Sequence, residues 1–226
     1  MAPQFSHQLI GAFLMLLVLQ PSAVESRPVT LDLRRSSGSQ NDIGRPTTDG
    51  LFHLEVNNTL SSGRWYDFPV TYGFQSTSSL PAGLDPQAVV DAIDAAFQQW
   101  QTAVPEFEFQ RVYPGENANI KIEFAPLSPE YYGFGYYPPD GRLYLDVDHT
   151  KWSIDSNPAW DELDLQSGAM HEIGHTLGLE HSEDPSAVMY PTLYYGSLKR
   201  DLSDDDIYQI QTIYYSRSYL DVVKPK

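Results

Sequence analysis

The sequence predicts an α+β domain behind an N-terminal extension. Three observations carry this. Five short runs rich in aromatic and β-branched residues have the length and turn-residue borders of strands. Three longer segments place apolar residues at helical spacing. The stretch before residue 64 shows neither pattern, apart from one apolar run near its start.

That run, Leu9 to Leu19, is too short to span a bilayer and sits at the N-terminus. It reads as the core of a secretory signal covering residues 1–26, with Ser26 and Val24 as the small residues of the cleavage site; cleavage after Ala23 reads as an alternative. Residues 27–63 are rich in Ser, Gly, Thr, Asn and Asp, and read as an extension that packs weakly or stays disordered. Asn57-Asn58-Thr59 within it is a glycosylation sequon. The folded domain is assigned to residues 64–226.

Its elements follow in order. Trp65 to Phe74 is aromatic and β-rich, a strand. Asp85 caps a helix with Pro86 in its first turn; Val89, Val90, Ile93, Ala96, Phe97 and Trp100 form its apolar face, and Pro105 marks its end. Phe107 to Val112 is a strand. Asn119 to Phe124 is another, with Ile120, Ile122 and Phe124 on one face. Tyr132 to Tyr137 is interrupted by glycine, which suits an edge strand, and Leu143 to Val147 is the fifth. Asp164 to Leu179 is the second helix. Ser203 to Tyr215 is the third, with Ser203 and Asp206 spaced as a capping box.

Composition narrows the function. The 226 residues suffice for one domain plus an extension. A net charge of −16 argues against nucleic acid as a partner. There is no cysteine, which excludes thiol catalysis and zinc–thiolate sites, and leaves an exported chain to rely on its core. Beyond the signal no segment is apolar enough to span a membrane. A soluble, exported monomer is expected.

The second helix carries the chemistry. His171-Glu172-Ile173-Gly174-His175-Thr176-Leu177-Gly178-Leu179-Glu180-His181 reads H-E-x-x-H-x-x-G-x-x-H. His171 and His175 stack one turn apart on one helix face, as two ligands of one zinc ion must. Glu172 can reach a water on that ion. Gly178 can turn the chain at positive φ and bring in His181. Three nitrogen ligands leave one zinc position open for water, the requirement of a catalytic rather than a structural site. A bare H-E-x-x-H could be an ordinary amphipathic helix. The extended motif is far more specific, and Met189 in Ser186-Ala187-Val188-Met189-Tyr190-Pro191 follows eight residues after it.

With these residues in place, the chain resembles the matrixins, the matrix metalloproteinase family of the metzincins. Trp65, Val70-Thr71-Tyr72, Ala118 to Phe124, Asp164-Leu165, Ser182 directly after His181, and Leu202-Ser203 to Tyr214 all resemble that catalytic domain. The resemblance implies a twisted, mostly parallel five-stranded sheet, three helices, and a zinc cleft under the edge strand. It implies a secreted, extracellular-matrix type of zinc endopeptidase made as a zymogen. Glu172 would be the general base, His171, His175 and His181 the zinc ligands, and Met189 the Met-turn support. A protein or peptide substrate would extend along Gly133, Phe134 and Gly135. Tyr190, Pro191 and Leu193 would wall a pocket for an apolar P1′ residue, the side chain just after the cut bond.

Departures from the family pattern are also expected. Only six histidines exist, and Phe134 and Tyr144 stand where the family's structural zinc has two of its ligands, so one zinc is expected. Asp146 matches a family calcium ligand, but His149 and Asn119 stand where acidic partners belong. Aromatic packing of Phe134, Tyr136, Tyr137 and Tyr144 would then do the stabilising. The inhibitory pro-segment cysteine of the family is missing; Asp49 and His53 are the substitutes considered. For Asp205 and Asp206 two readings stay open. In one they are ordinary acids of a first helical turn; in the other, one supports the Met-turn and its neighbour meets the processed N-terminus. The rival functional reading is a secreted, zinc-containing binding module without catalysis, against which the intact Glu172 argues.

Overall fold

In this computed structural model the described residues are 63–215 together with the backbone of 28–30. The signal run, the sequon at Asn57, and Asp49 and His53 lie outside them. Among the described residues, no helix is long and apolar enough to cross a membrane.

Three helices and one main sheet form the domain. The elements run β1 (Pro28–Thr30), β2 (Val70–Phe74), α1 (Pro86–Ala103), β3 (Phe109–Arg111), β4 (Ile120–Ala125), β5 (Gly133–Tyr136), β6 (Arg142–Asp146), β7 (Trp152–Ser153), β8 (Leu163–Asp164), α2 (Leu165–Thr176) and α3 (Asp204–Tyr215). The main sheet has the order β1-β5-β6-β4-β2-β3. The five strands of the domain pair in parallel except at β5, which lies antiparallel to β6. β7 and β8 form a separate short parallel pair leading into α2.

The sixth strand comes from the extension. Pro28–Thr30 pairs antiparallel with β5, Val29 opposite Gly135. A three-residue strand has too few positions to show a period, so its sequence carried no signal for it.

The local rules behind the other elements are visible. Asp85 accepts from the Ala88 N–H at 2.9 Å, the cap of α1. Along β4 burial alternates strictly, and Ile120, Ile122 and Phe124 face the core. The first strand begins only at Val70, because Pro69 before it has no N–H to give a ladder. α1 lies against α2, where Trp100 donates its indole N–H to the Met170 carbonyl at 2.9 Å. Tyr72 stacks on Phe97 with ring centroids 3.8 Å apart, joining sheet to helix.

On the opposite face of β5 and β6 stands an aromatic group. Phe134 packs on Tyr144 at 5.0 Å and on Tyr136 at 5.8 Å between centroids. Arg142 covers the Tyr136 ring at 4.1 Å and is held there by Asp140, with 2.7 and 2.8 Å hydrogen bonds. Tyr137 belongs elsewhere: its ring meets His175 edge-on at 6.1 Å. Phe134→Ala should cost about 2 kcal/mol, the half-buried share of a core Phe→Ala loss. Urea unfolding measures it, and an unchanged midpoint would show that the cluster carries no stability.

Candidate metal centre

The metal centre is built on α2, and α2 is fixed at both ends. Its N-cap, Asp164, is fully buried and accepts from the Ser167 N–H at 2.9 Å and hydroxyl at 2.5 Å. A buried carboxylate needs a cation. Arg200 supplies it, donating to one Asp164 oxygen at 3.0 Å and pairing with the other, while also reaching the Asp155 carbonyl at 2.8 Å. At the other end, Trp65 donates its indole N–H to the Thr176 carbonyl at 2.9 Å, and the Tyr214 hydroxyl donates to Leu177 at 3.0 Å. These supports lie far off in sequence, and no local motif announces them.

The helix stops at Thr176, earlier than its apolar pattern suggests. Gly178 takes φ 102°, and the chain turns to deliver His181. The three Nε2 atoms then converge: His171 to His175 is 3.2 Å, His171 to His181 is 3.1 Å, and His175 to His181 is 3.1 Å.

What these nitrogens carry follows from their neighbours. His171 Nδ1 lies 2.8 Å from the Val188 carbonyl, and His175 Nδ1 lies 2.8 Å from the Leu179 carbonyl. A carbonyl only accepts, so each Nδ1 bears the hydrogen and each Nε2 is left with a bare lone pair. Lone pairs facing one another need a cation between them. Burial strengthens the case: it pushes His171 down to about 4, and it pulls His175 and His181 well below the ordinary imidazole range, with neighbouring imidazoles adding to the effect. The neutral set of donors is the one that zinc takes. It is the only group of three or more His, Cys, Asp or Glu with converging ligand atoms among the described residues.

Beneath the histidines lies the turn that contains Met189. A Cβ added to Gly174 would fall 2.2 Å from the Met189 sulfur and 3.0 Å from Trp100. So Gly174, an unspecified position in the motif, must lack a side chain; a glycine inside a helix was the available signal. Asp206 is fully buried and holds the turn from below. It accepts from the Val188 N–H at 2.8 Å and the Met189 N–H at 2.9 Å, and it completes the capping box with Ser203. Asp206 thus serves both as a first-turn acid and as the support of the Met-turn. Asp205 accepts from the Ser182 hydroxyl at 2.5 Å and from Gln209 at 2.6 Å.

Above the histidines runs β5. A Cβ on Gly135 would come within 2.4 Å of the Glu172 carbonyl, and one on Gly133 within 3.0 Å of Glu172 Cγ. The two glycines let β5 lie directly on α2. Glu172 is 1% exposed, and neither of its oxygens has a hydrogen-bond partner among the described residues. Burial pushes its carboxyl well above the ordinary range; the Gly135 N–H pulls the other way but falls short of hydrogen-bond geometry.

The remaining expected site residues divide. Phe134 offers this rim its backbone, since its ring sits in the aromatic cluster. Tyr190 and Pro191 are partly exposed, and Lys199 stands 4.9 Å from the Tyr190 ring centre. Leu193 is buried in the core. Asp146 is buried, and its two oxygens accept from the N–H groups of Leu127, Asp148, His149 and Thr150 at 2.6 to 3.3 Å.

Asp206→Ala should therefore act at a distance. It strands two buried N–H groups of the Met-turn, at a cost of about 2–4 kcal/mol. It also frees the Val188 carbonyl that orients His171, so zinc affinity should fall at least tenfold. Denaturation and a zinc titration check both, and wild-type affinity would show that His171 needs no such anchor.

Known proteins resemble the chain over this domain. The matrixin family model matches residues 64–215. Metalloendoproteinase 1 of Glycine max is 36% identical over 71% of this chain and 60% of its own length. Matrix metalloproteinase-26 of Homo sapiens is 34% identical over 74% of this chain and 66% of its own length. Karilysin of Tannerella forsythia is 32% identical over 70% of this chain. The chain thus spans less than two-thirds of the length of these relatives, down to 34% for karilysin. With its histidine cluster, its Met-turn and this match over the whole described domain, the chain belongs to the matrixin family.

Proposed function

We propose that this protein is a secreted zinc endopeptidase that cuts extended polypeptides. One observation carries the reading: three imidazole nitrogens converge next to a buried carboxylate with no partner of its own, directly under β5. Zinc held by His171, His175 and His181 would supply a Lewis acid and acidify a water molecule. Glu172 takes the proton from that water onto its carboxylate and passes it to the leaving nitrogen. Its raised basicity in a dry setting suits both transfers.

Substrate runs along β5 as an added strand, bonding through its backbone at Gly133 to Gly135. Tyr190 and Pro191 flank the primed side, and the P1′ residue is mainly apolar. Export rests on the apolar run Leu9 to Leu19. Asp146 holds its loop through four amides, and calcium there would have to displace them.

Latency fits the same edge. Pro28–Thr30 uses the strand that a substrate needs, and in an antiparallel sense. Pro28–Thr30 acts as an inhibitory strand in place of a cysteine ligand.

Two outcomes test this. Glu172→Ala should keep zinc but lose at least a thousandfold in kcat on a quenched peptide, with a chelator abolishing wild-type turnover; equal turnover by the variant would assign the activity to a contaminant, and an inactive wild type with zinc bound would favour a binding module. Removing residues 1–63 should raise kcat/KM several-fold over the protein starting at Arg27, and equal rates would mean that the extension does not inhibit.

A further inference from the structure

Among the described residues, only three buried side-chain oxygens or nitrogens lack a hydrogen-bond partner: both oxygens of Glu172 and the hydroxyl of Tyr132. Folded proteins rarely leave such groups unpaired, and those that remain ask for an explanation. For Glu172 the explanation is the water it activates. Tyr132 is outside that mechanism.

Its place is well defined. Tyr132 immediately precedes β5, is 1% exposed, and its carbonyl accepts from the Asp146 N–H at 2.8 Å. Its ring meets Trp152 edge-on at 6.0 Å. Both rings border Gly168: a Cβ there would lie 2.9 Å from Trp152 and 3.7 Å from Tyr132. Gly168 and Glu172 are four apart on α2, hence on one face. Tyr132 therefore lies along α2 one turn before the catalytic carboxylate, close enough to feel its charge. On the far flank of the same turn, Ser167 accepts from the Lys199 N–H at 2.8 Å, which brings in the chain that follows the Tyr190–Pro191 wall. Burial and the Glu172 charge keep the Tyr132 hydroxyl protonated far above neutral pH, so it remains a donor.

We infer that Tyr132 is a specificity-determining residue: its unpaired hydroxyl closes the primed-side pocket with a hydrogen-bonding end and selects a P1′ side chain with an apolar stem and an oxygen or nitrogen at its tip. This rests on the endopeptidase reading and refines its apolar P1′ preference. The hydroxyl is left without a partner because the partner arrives with the substrate. A neutral tip is favoured, since an acidic one would meet the Glu172 carboxylate.

The test uses the zinc-loaded protein and Tyr132→Phe, with peptide pairs differing only at P1′: Tyr against Phe, and Gln against Met. Wild type should favour Tyr and Gln about tenfold in kcat/KM, and the variant should bring both ratios near one. The melting temperature of Tyr132→Phe should stay level or rise, because an unpaired buried hydroxyl gives no stability. Equal ratios in the two proteins would overturn the assignment. So would a clear fall in melting temperature, which would mean that the hydroxyl is already bonded inside the protein. If wild type cuts none of the peptides, the endopeptidase reading fails, and the melting comparison alone decides whether the hydroxyl is held in reserve.

Discussion

Everything at this site depends on burying a polar helix. All of α2 except Gln166 is buried, although Ser167, His171, Glu172, His175 and Thr176 carry polar side chains. Such a helix gains little from an apolar stripe, so its stability must come from satisfied polar groups and close packing. Asp164 with Arg200 fixes its start, and Trp65 with Tyr214 receives its last carbonyls. Two backbone carbonyls set the tautomers of His171 and His175. Three glycines do the rest: Gly133 and Gly135 admit the strand above, and Gly174 admits the sulfur below. These supports together hold the three ligand nitrogens toward one point.

How legible this was in the sequence depended on distance along the chain. The histidine motif, Gly178, the caps at Asp85 and Ser203, and the alternation of β4 are local patterns, and each is found where it was expected. Boundaries were poorer. The aromatic stretch from Trp65 reads as strand, yet Trp65 uses its ring to cap α2, and the ladder starts only after Pro69. Asp164 and Arg200 meet across 36 positions, and β1 meets β5 across more than a hundred. Neither pairing has a local signature. Asp206 could be read as a helix-start acid or as the prop of the Met-turn, and it is both because one carboxylate has enough lone pairs for each.

The outer face of β5 and β6 is held by rings. Phe134 packs on Tyr136 and Tyr144, and Arg142 lies over Tyr136, so dispersion and cation–π attraction tie the two strands together.

The caps of α2 also tie the two ends of the described domain together. Arg64 donates to the carbonyls of Ile213 and Tyr214, Trp65 donates to Thr176, and Tyr214 donates to Leu177, so both ends of the domain are knotted at the tail of the metal helix. Loss of Arg64 and Trp65 would therefore unfasten the last turn of α2, the turn that carries His175.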